Sequence, residues 1–116
     1  MEYSPVTVAE TGSFQRKAGQ LFSENGKDEL VAYLSMNPNA GVPLQRTGGI
    51  RKLRWARSGR GKSGGVRVIY YFHSHKMPLY LLTIFGKNGK TNISTEEKNI
   101  LSRMERELVK YWSQRQ

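Results

Sequence analysis

Between residues 50 and 85 the chain carries three runs of strand character, IRKLRWA at 50–56, VRVIYYF at 66–72 and LYLLTIF at 79–85. The connections, RSGRGKSGG and HSHKMP, are shorter than the dozen or so residues that a parallel crossover needs, so consecutive strands must run antiparallel. In the first run Leu53 and Trp55 fall on one face and Lys52 and Arg54 on the other, because side chains on a strand alternate. The last run is apolar on both faces and rich in β-formers, which predicts a strand inside a sheet. If the face of Leu53 and Trp55 continues through Val66, Val68, Tyr70 and Phe72, residue 54 must lie opposite an odd-numbered residue such as Arg67. Lys52, Arg54 and Arg67 then share the second face, and antiparallel order brings Arg54, Arg67 and Lys87 to one edge of the sheet.

The flanking segments have a different period. Residues 2 to 8, where Val6 and Val8 alternate with Thr7, allow a short first strand with Pro5 suited to an edge. Ser13 is a candidate cap for a helix carrying Phe14, Ala18, Leu21 and Phe22. A second helix from about Lys27 to Met36 places Leu30, Val31 and Leu34 together and stops before Pro38. Ser94 with Glu97 forms a capping-box pattern opening a last helix, whose stripe is Ile100, Leu101, Met104, Leu108 and Trp112. The expected architecture is α+β, a compact single domain over 1–116 with an antiparallel sheet, two N-terminal helices and one C-terminal helix.

Charge narrows the function. The chain has 19 Lys and Arg against 9 Asp and Glu, a formal net charge of +10. All nine carboxylates lie outside residues 30 to 95, a stretch that holds eleven basic residues. Such an excess points to an anionic partner, and phosphate suits it, since Arg offers a planar fork and Lys a compact charge. The absence of cysteine excludes thiol nucleophiles, disulfides and cysteine zinc sites. No apolar run reaches membrane-spanning length and no signal peptide is evident, so a soluble, cytoplasmic protein without membrane contact is expected.

Three motifs compete for the chemistry. ARSGRGKS at 56–63 fits a loose P-loop, yet a strand follows where a P-loop needs a helix, and the segment has no carboxylate for magnesium. A phosphate-touching hairpin loop is the better reading. His73 and His75 have metal-ligand spacing but sit at a turn with no third ligand in reach, so exposed turn histidines are expected and no metal. The cluster of Lys52, Arg54, Arg67, Lys87 and Lys90 is delivered by separate strands to one place. Tyr70, Tyr71, Tyr80 and Phe72 lie among these strands as possible stacking surfaces for bases, with core packing as their commoner fate.

The run TGGIRKLRWARSGRGKSGGVRVIYYF at 47–72, followed by LLTIFGKN at 81–88, resembles the HigB branch of the RelE/ParE toxin superfamily, and the likeness extends through NPNAG at 37–41. The resemblance implies a type II toxin that cuts mRNA at the ribosomal decoding site and is held inactive by a helix-turn-helix antitoxin of the HigA kind, reaching operator DNA only through it. It implies no metal or other cofactor: the RNA 2′-hydroxyl attacks the adjacent phosphodiester while basic side chains stabilise the phosphorane and move protons. Carried over residue by residue, Lys52 and Arg54 match the basic pair of the second family strand, Arg67 the arginine that clamps the scissile phosphate, and Lys87 a basic group after the next strand. Arg51, Arg57, Arg60, Lys62 and Lys90 are expected to bind RNA. The family's arginine and tyrosine beyond that last lysine are replaced by Asn88 and by Gly89 to Ile93. The alternative is a ParE-like poison of DNA gyrase, which shares the fold but lacks the basic catalytic residues.

Overall fold

The computed structural model describes residues 5–56, 65–86 and 93–115. Their order is β1 (Val8–Glu10), α1 (Gly12–Leu21), α2 (Glu24–Met36), β2 (Val42–Pro43), β3 (Ile50–Trp55), β4 (Val66–Tyr71), β5 (Leu79–Gly86) and α3 (Thr95–Ser113). One five-stranded sheet runs β1-β5-β4-β3-β2. It is the α+β architecture expected, with strand limits in the middle of the chain met to within a residue.

Two features depart from expectation, a parallel strand in a sheet expected to be antiparallel and an additional edge strand. β1 begins at Val8 and joins β5 in parallel, Val8 beside Leu79 and Glu10 beside Leu81. The residues before it serve otherwise: Val6 N–H donates to Ser35 O at 2.9 Å, tying that segment to the end of α2. The second feature is β2, two residues paired antiparallel with Arg51 and Lys52 at the sheet's edge. It holds Pro43, which an edge tolerates because the missing N–H leaves no ladder bond inside the sheet.

Helix starts also moved. Thr11, not Ser13, caps α1: its hydroxyl accepts from Phe14 N–H at 3.2 Å and donates toward Leu81 O and Leu82 O at 3.0 and 2.9 Å. A threonine that satisfies both a helix start and two strand carbonyls outcompetes a serine that serves the helix alone. α2 begins three residues earlier than its apolar pattern, at Glu24, because Ser23 accepts from Gly26 N–H. The capping box of α3 is present in both directions, Ser94 to Glu97 N–H and Glu97 carboxylate to Ser94 N–H.

The sheet separates two cores. On one face α1 and α2 bury Phe14, Ala18, Leu30 and Leu34 against Leu53, Val66, Val68, Tyr70, Leu79, Leu81 and Ile84. On the other, α3 lays Leu101, Met104, Leu108 and Trp112 over Ile50, Ile69, Tyr71, Leu82 and Phe85. Ile100, expected within that stripe, is half exposed. β5 keeps both faces apolar across a bulge: its register with β4 passes from Tyr70 beside Leu81 to Ile69 beside Thr83. The extra residue switches the parity of the strand, so that Leu79, Leu81 and Ile84 face α1 and α2 while Tyr80, Leu82 and Phe85 face α3.

Candidate functional site

β3 and β4 pair with Arg54 directly opposite Arg67 and Lys52 opposite Ile69, and β5 completes the row with Phe85 beside Arg67. The three basic residues therefore lie on the α3 face of the sheet, with Arg54 and Arg67 neighbours across the strands and Lys52 one pleat along. Directly opposed residues bring their Cβ atoms to about 5 Å and diagonal ones to about 7–8 Å. Two like charges directly opposite one another destabilise a sheet, so this pair is maintained against its own repulsion.

Arg54 is exposed, whereas Arg67 and Lys52 are partly covered. Nη1 of Arg67 is buried and, among the described residues, meets no hydrogen-bond acceptor. A guanidinium nitrogen removed from water without an acceptor costs about 1–3 kcal/mol or more, which an incoming anion recovers by accepting its hydrogen bond. Among the described residues the ion pairs are those of Lys27 with Glu10 and Glu24, distant in the sheet from this cluster. The region is thus cationic, preorganised by two paired strands and short of acceptors.

The other end of this face is closed by α3. Tyr71, buried, donates its phenol O–H to Glu105 Oε2 at 2.8 Å. Burial, followed by the hydrogen bond and negative charge of Glu105, holds the Tyr71 phenol well above its ordinary range, so it remains a donor and not a proton source at neutral pH. Glu105 reaches this position over Gly48, which has φ +78°; a Cβ there would stand 2.5 Å from Glu105 Oε1. Thr47, fully buried, donates to Leu44 O at 2.7 Å and accepts Ile50 N–H at 3.2 Å, fixing where β3 begins. The TGG of residues 47–49 is thereby explained: it shapes a turn that lets α3 descend onto the sheet and delimits the basic face. This Tyr71–Glu105 link had no sequence signal, since the two residues belong to elements 34 positions apart.

Not every basic residue singled out in the sequence joins the cluster. Arg51 faces the α1 and α2 side, and its Nη1 donates to Gly41 O at 2.6 Å and Asn39 O at 3.2 Å. It serves to hold the 37–41 turn, together with the Tyr70 hydroxyl, which accepts Gly41 N–H at 2.8 Å and donates to Pro38 O at 2.9 Å. Arg51, expected to bind RNA, thus has its Nη1 engaged on the face opposite the cluster. Lys87, Lys90, Arg57, Arg60 and Lys62 lie outside the described residues, as does all of the P-loop-like segment except Ala56. Tyr70 and Tyr71 are core residues, unable to stack on a base. His73 and His75 are exposed in the turn between β4 and β5, and among the described residues no group of His, Asp and Glu could hold a metal ion. No helix among those residues is long and apolar enough to cross a membrane.

Compared with known protein families, residues 11–115 match the model described as the RelE toxin of the RelE/RelB toxin–antitoxin system. The match spans every helix and β2 to β5, and so includes the whole basic face.

Proposed function

Since the chain belongs to the RelE toxin family and is a toxin that pairs with an antitoxin, we propose that it is a HigB-like, ribosome-dependent mRNA endonuclease. The observation that carries this reading is the Arg54–Arg67 pair with its buried, acceptor-less Nη1. A phosphodiester supplies the acceptor. In the reaction the 2′-hydroxyl attacks the neighbouring phosphorus, the bond to the 5′-oxygen breaks, and a cyclic phosphate and a 5′-hydroxyl result. Lys52 takes the 2′-hydroxyl proton, Arg67 and Arg54 hold the non-bridging oxygens as charge grows on the phosphorane, and Lys87 gives a proton to the leaving oxygen. Arg57, Arg60, Lys62 and Lys90 contact the RNA backbone. Because strand pairing sets the two arginines side by side before substrate arrives, little backbone reorganisation accompanies the charge build-up.

The partners follow from this role: the ribosome with its mRNA, and a HigA-like helix-turn-helix antitoxin through which operator DNA is reached. The protein acts in the cytoplasm without a cofactor. Expression without antitoxin is expected to stop translation first, with mRNA cut on ribosomes. Arg67→Ala is expected to lower cutting by about 100-fold or more, the usual loss when one preorganised charge-stabilising group is removed. Arrest of DNA replication ahead of translation would instead favour a gyrase poison. Unchanged cutting by folded Arg67→Ala would remove the arginine from the site.

A further inference from the structure

We propose that Trp55, backed by Tyr33, is a stacking platform for one base of the bound RNA, next to the arginine pair that holds its phosphate. The proposal rests on the RNA-cutting reading above and adds a base-recognition subsite to it. Successive residues on a strand point to opposite faces, so Arg54 and Trp55 should not share a surface. At the end of β3 they do. Both line a cavity of about 270 Å³, completed among the described residues by Ala56 and Gly65. That volume is just under the roughly 300 Å³ at which pockets for drug-sized ligands begin, which suits a single planar ring better than a larger ligand.

The aromatic group is held in place from behind. Trp55 is partly buried, packs against the α1 and α2 core, and meets the Tyr33 ring of α2 with centroids 5.1 Å apart at 47°. Tyr33 itself is 40% exposed, so this aromatic pair reaches the surface beside the cavity. A residue needed only for the core has no reason to border an open cavity with a cation on its rim. Gly65, which has no side chain, lines the same cavity. Every base offers a π-face, and a base stacked on an aromatic residue contributes affinity without dependence on its identity. Arg54, opposite Arg67, places the phosphate-binding group at the rim of the same cavity. A nucleotide bridges the two: its phosphate on the guanidiniums, its base on the indole.

The chain has two tryptophans, so Trp112→Phe leaves Trp55 as the only indole emitter. A short single-stranded RNA titrated into the folded Trp112→Phe protein is expected to quench Trp55 emission. Inorganic polyphosphate is expected to bind in a salt-dependent way without quenching. Trp55→Leu in the full chain should weaken RNA binding roughly tenfold or more while sparing polyphosphate, and Trp55→Phe should restore most of the loss. Equal quenching by polyphosphate and RNA, or RNA affinity unchanged in Trp55→Leu, would overturn the stacking role while wild-type cutting on ribosomes continued. A wild-type protein that neither binds RNA nor cuts on ribosomes would overturn the parent reading, and the subsite with it.

Discussion

Arg67→Met should make the free protein more stable while ending its activity. Methionine keeps an unbranched apolar stem of similar reach, so the contacts of the arginine stem beside Phe85 and Ile69 are largely preserved. The substitution removes a buried Nη1 that has no acceptor, a gain of about 1–3 kcal/mol. It also removes a like charge directly opposite Arg54, a gain of some tenths to about 1 kcal/mol. Some packing is lost in exchange, so a net stabilisation of about 1–3 kcal/mol is expected, raising the midpoint of thermal unfolding by roughly 4–12 °C for a chain of this size. Thermal melts followed by circular dichroism, in phosphate-free buffer at low and high salt, measure it. The share from charge repulsion should shrink with salt, whereas the share from the unmade hydrogen bond should persist. Added phosphate should raise the midpoint of the wild type and leave that of Arg67→Met unchanged, since only a ligand that prefers the folded state stabilises it. A midpoint that falls in Arg67→Met would mean that the guanidinium is structurally satisfied, and the strongest support for an anion site would be gone.

Further expectations concern the supports of the basic face. Gly48→Ala combines a left-handed backbone with a Cβ 2.5 Å from Glu105 Oε1 and should cost about 2 kcal/mol or more, seen as a lower denaturant midpoint with unchanged slope. Tyr71→Phe removes a hydrogen bond to a carboxylate and should cost about 1.5–3 kcal/mol, again by denaturant titration. Burial raises both the Tyr70 and Tyr71 phenols above their ordinary value of 10.0, so the stability they contribute is complete below that pH and is lost as pH climbs through the raised values. Denaturant midpoints should therefore decline above about pH 10, with a shallower decline in Tyr71→Phe. Ser94→Ala breaks the capping box of α3 and should cost about 1 kcal/mol, read from the thermal midpoint.

Parity arguments within the middle of the chain reached far. Requiring the apolar face of Leu53 and Trp55 to continue through Val66 and Val68 put Arg54 opposite Arg67, and the strands pair in that register. The same parity separates Arg51 from Lys52 and Arg54, so its place on the far face was legible from the alternation; grouping it by charge obscured the signal. What escaped depended on distant partners. Val6, Thr7 and Val8 alternate as a strand does, but which of them joins the sheet is decided by Leu79 and its neighbours and by Ser35. A two-residue strand such as Val42–Pro43 has no period to detect, and the bulge in β5 shows only once Tyr70 and Ile69 are seen opposite Leu81 and Thr83. Trp55 read as an ordinary core residue because period two cannot show that the strand ends at it, where Arg54 and Trp55 line the same cavity.

The parallel pairing of β1 with β5 sets an order of events when the protein is made. β3, β4 and β5 are successive segments, and Trp55 meets Val66 across only 11 positions, whereas Val8 must find Leu79 across 71. Loop-closure entropy makes the longer contact about 1.7 kcal/mol more costly than the hairpin. On a translating ribosome β1 emerges well before β5 and must wait for it before it has a strand to join, and Thr11 waits with it for the carbonyls of Leu81 and Leu82. A strand made before the hairpin is among the last to find its place, and the sheet bearing the arginines grows outward from β3, β4 and β5 to take in β1.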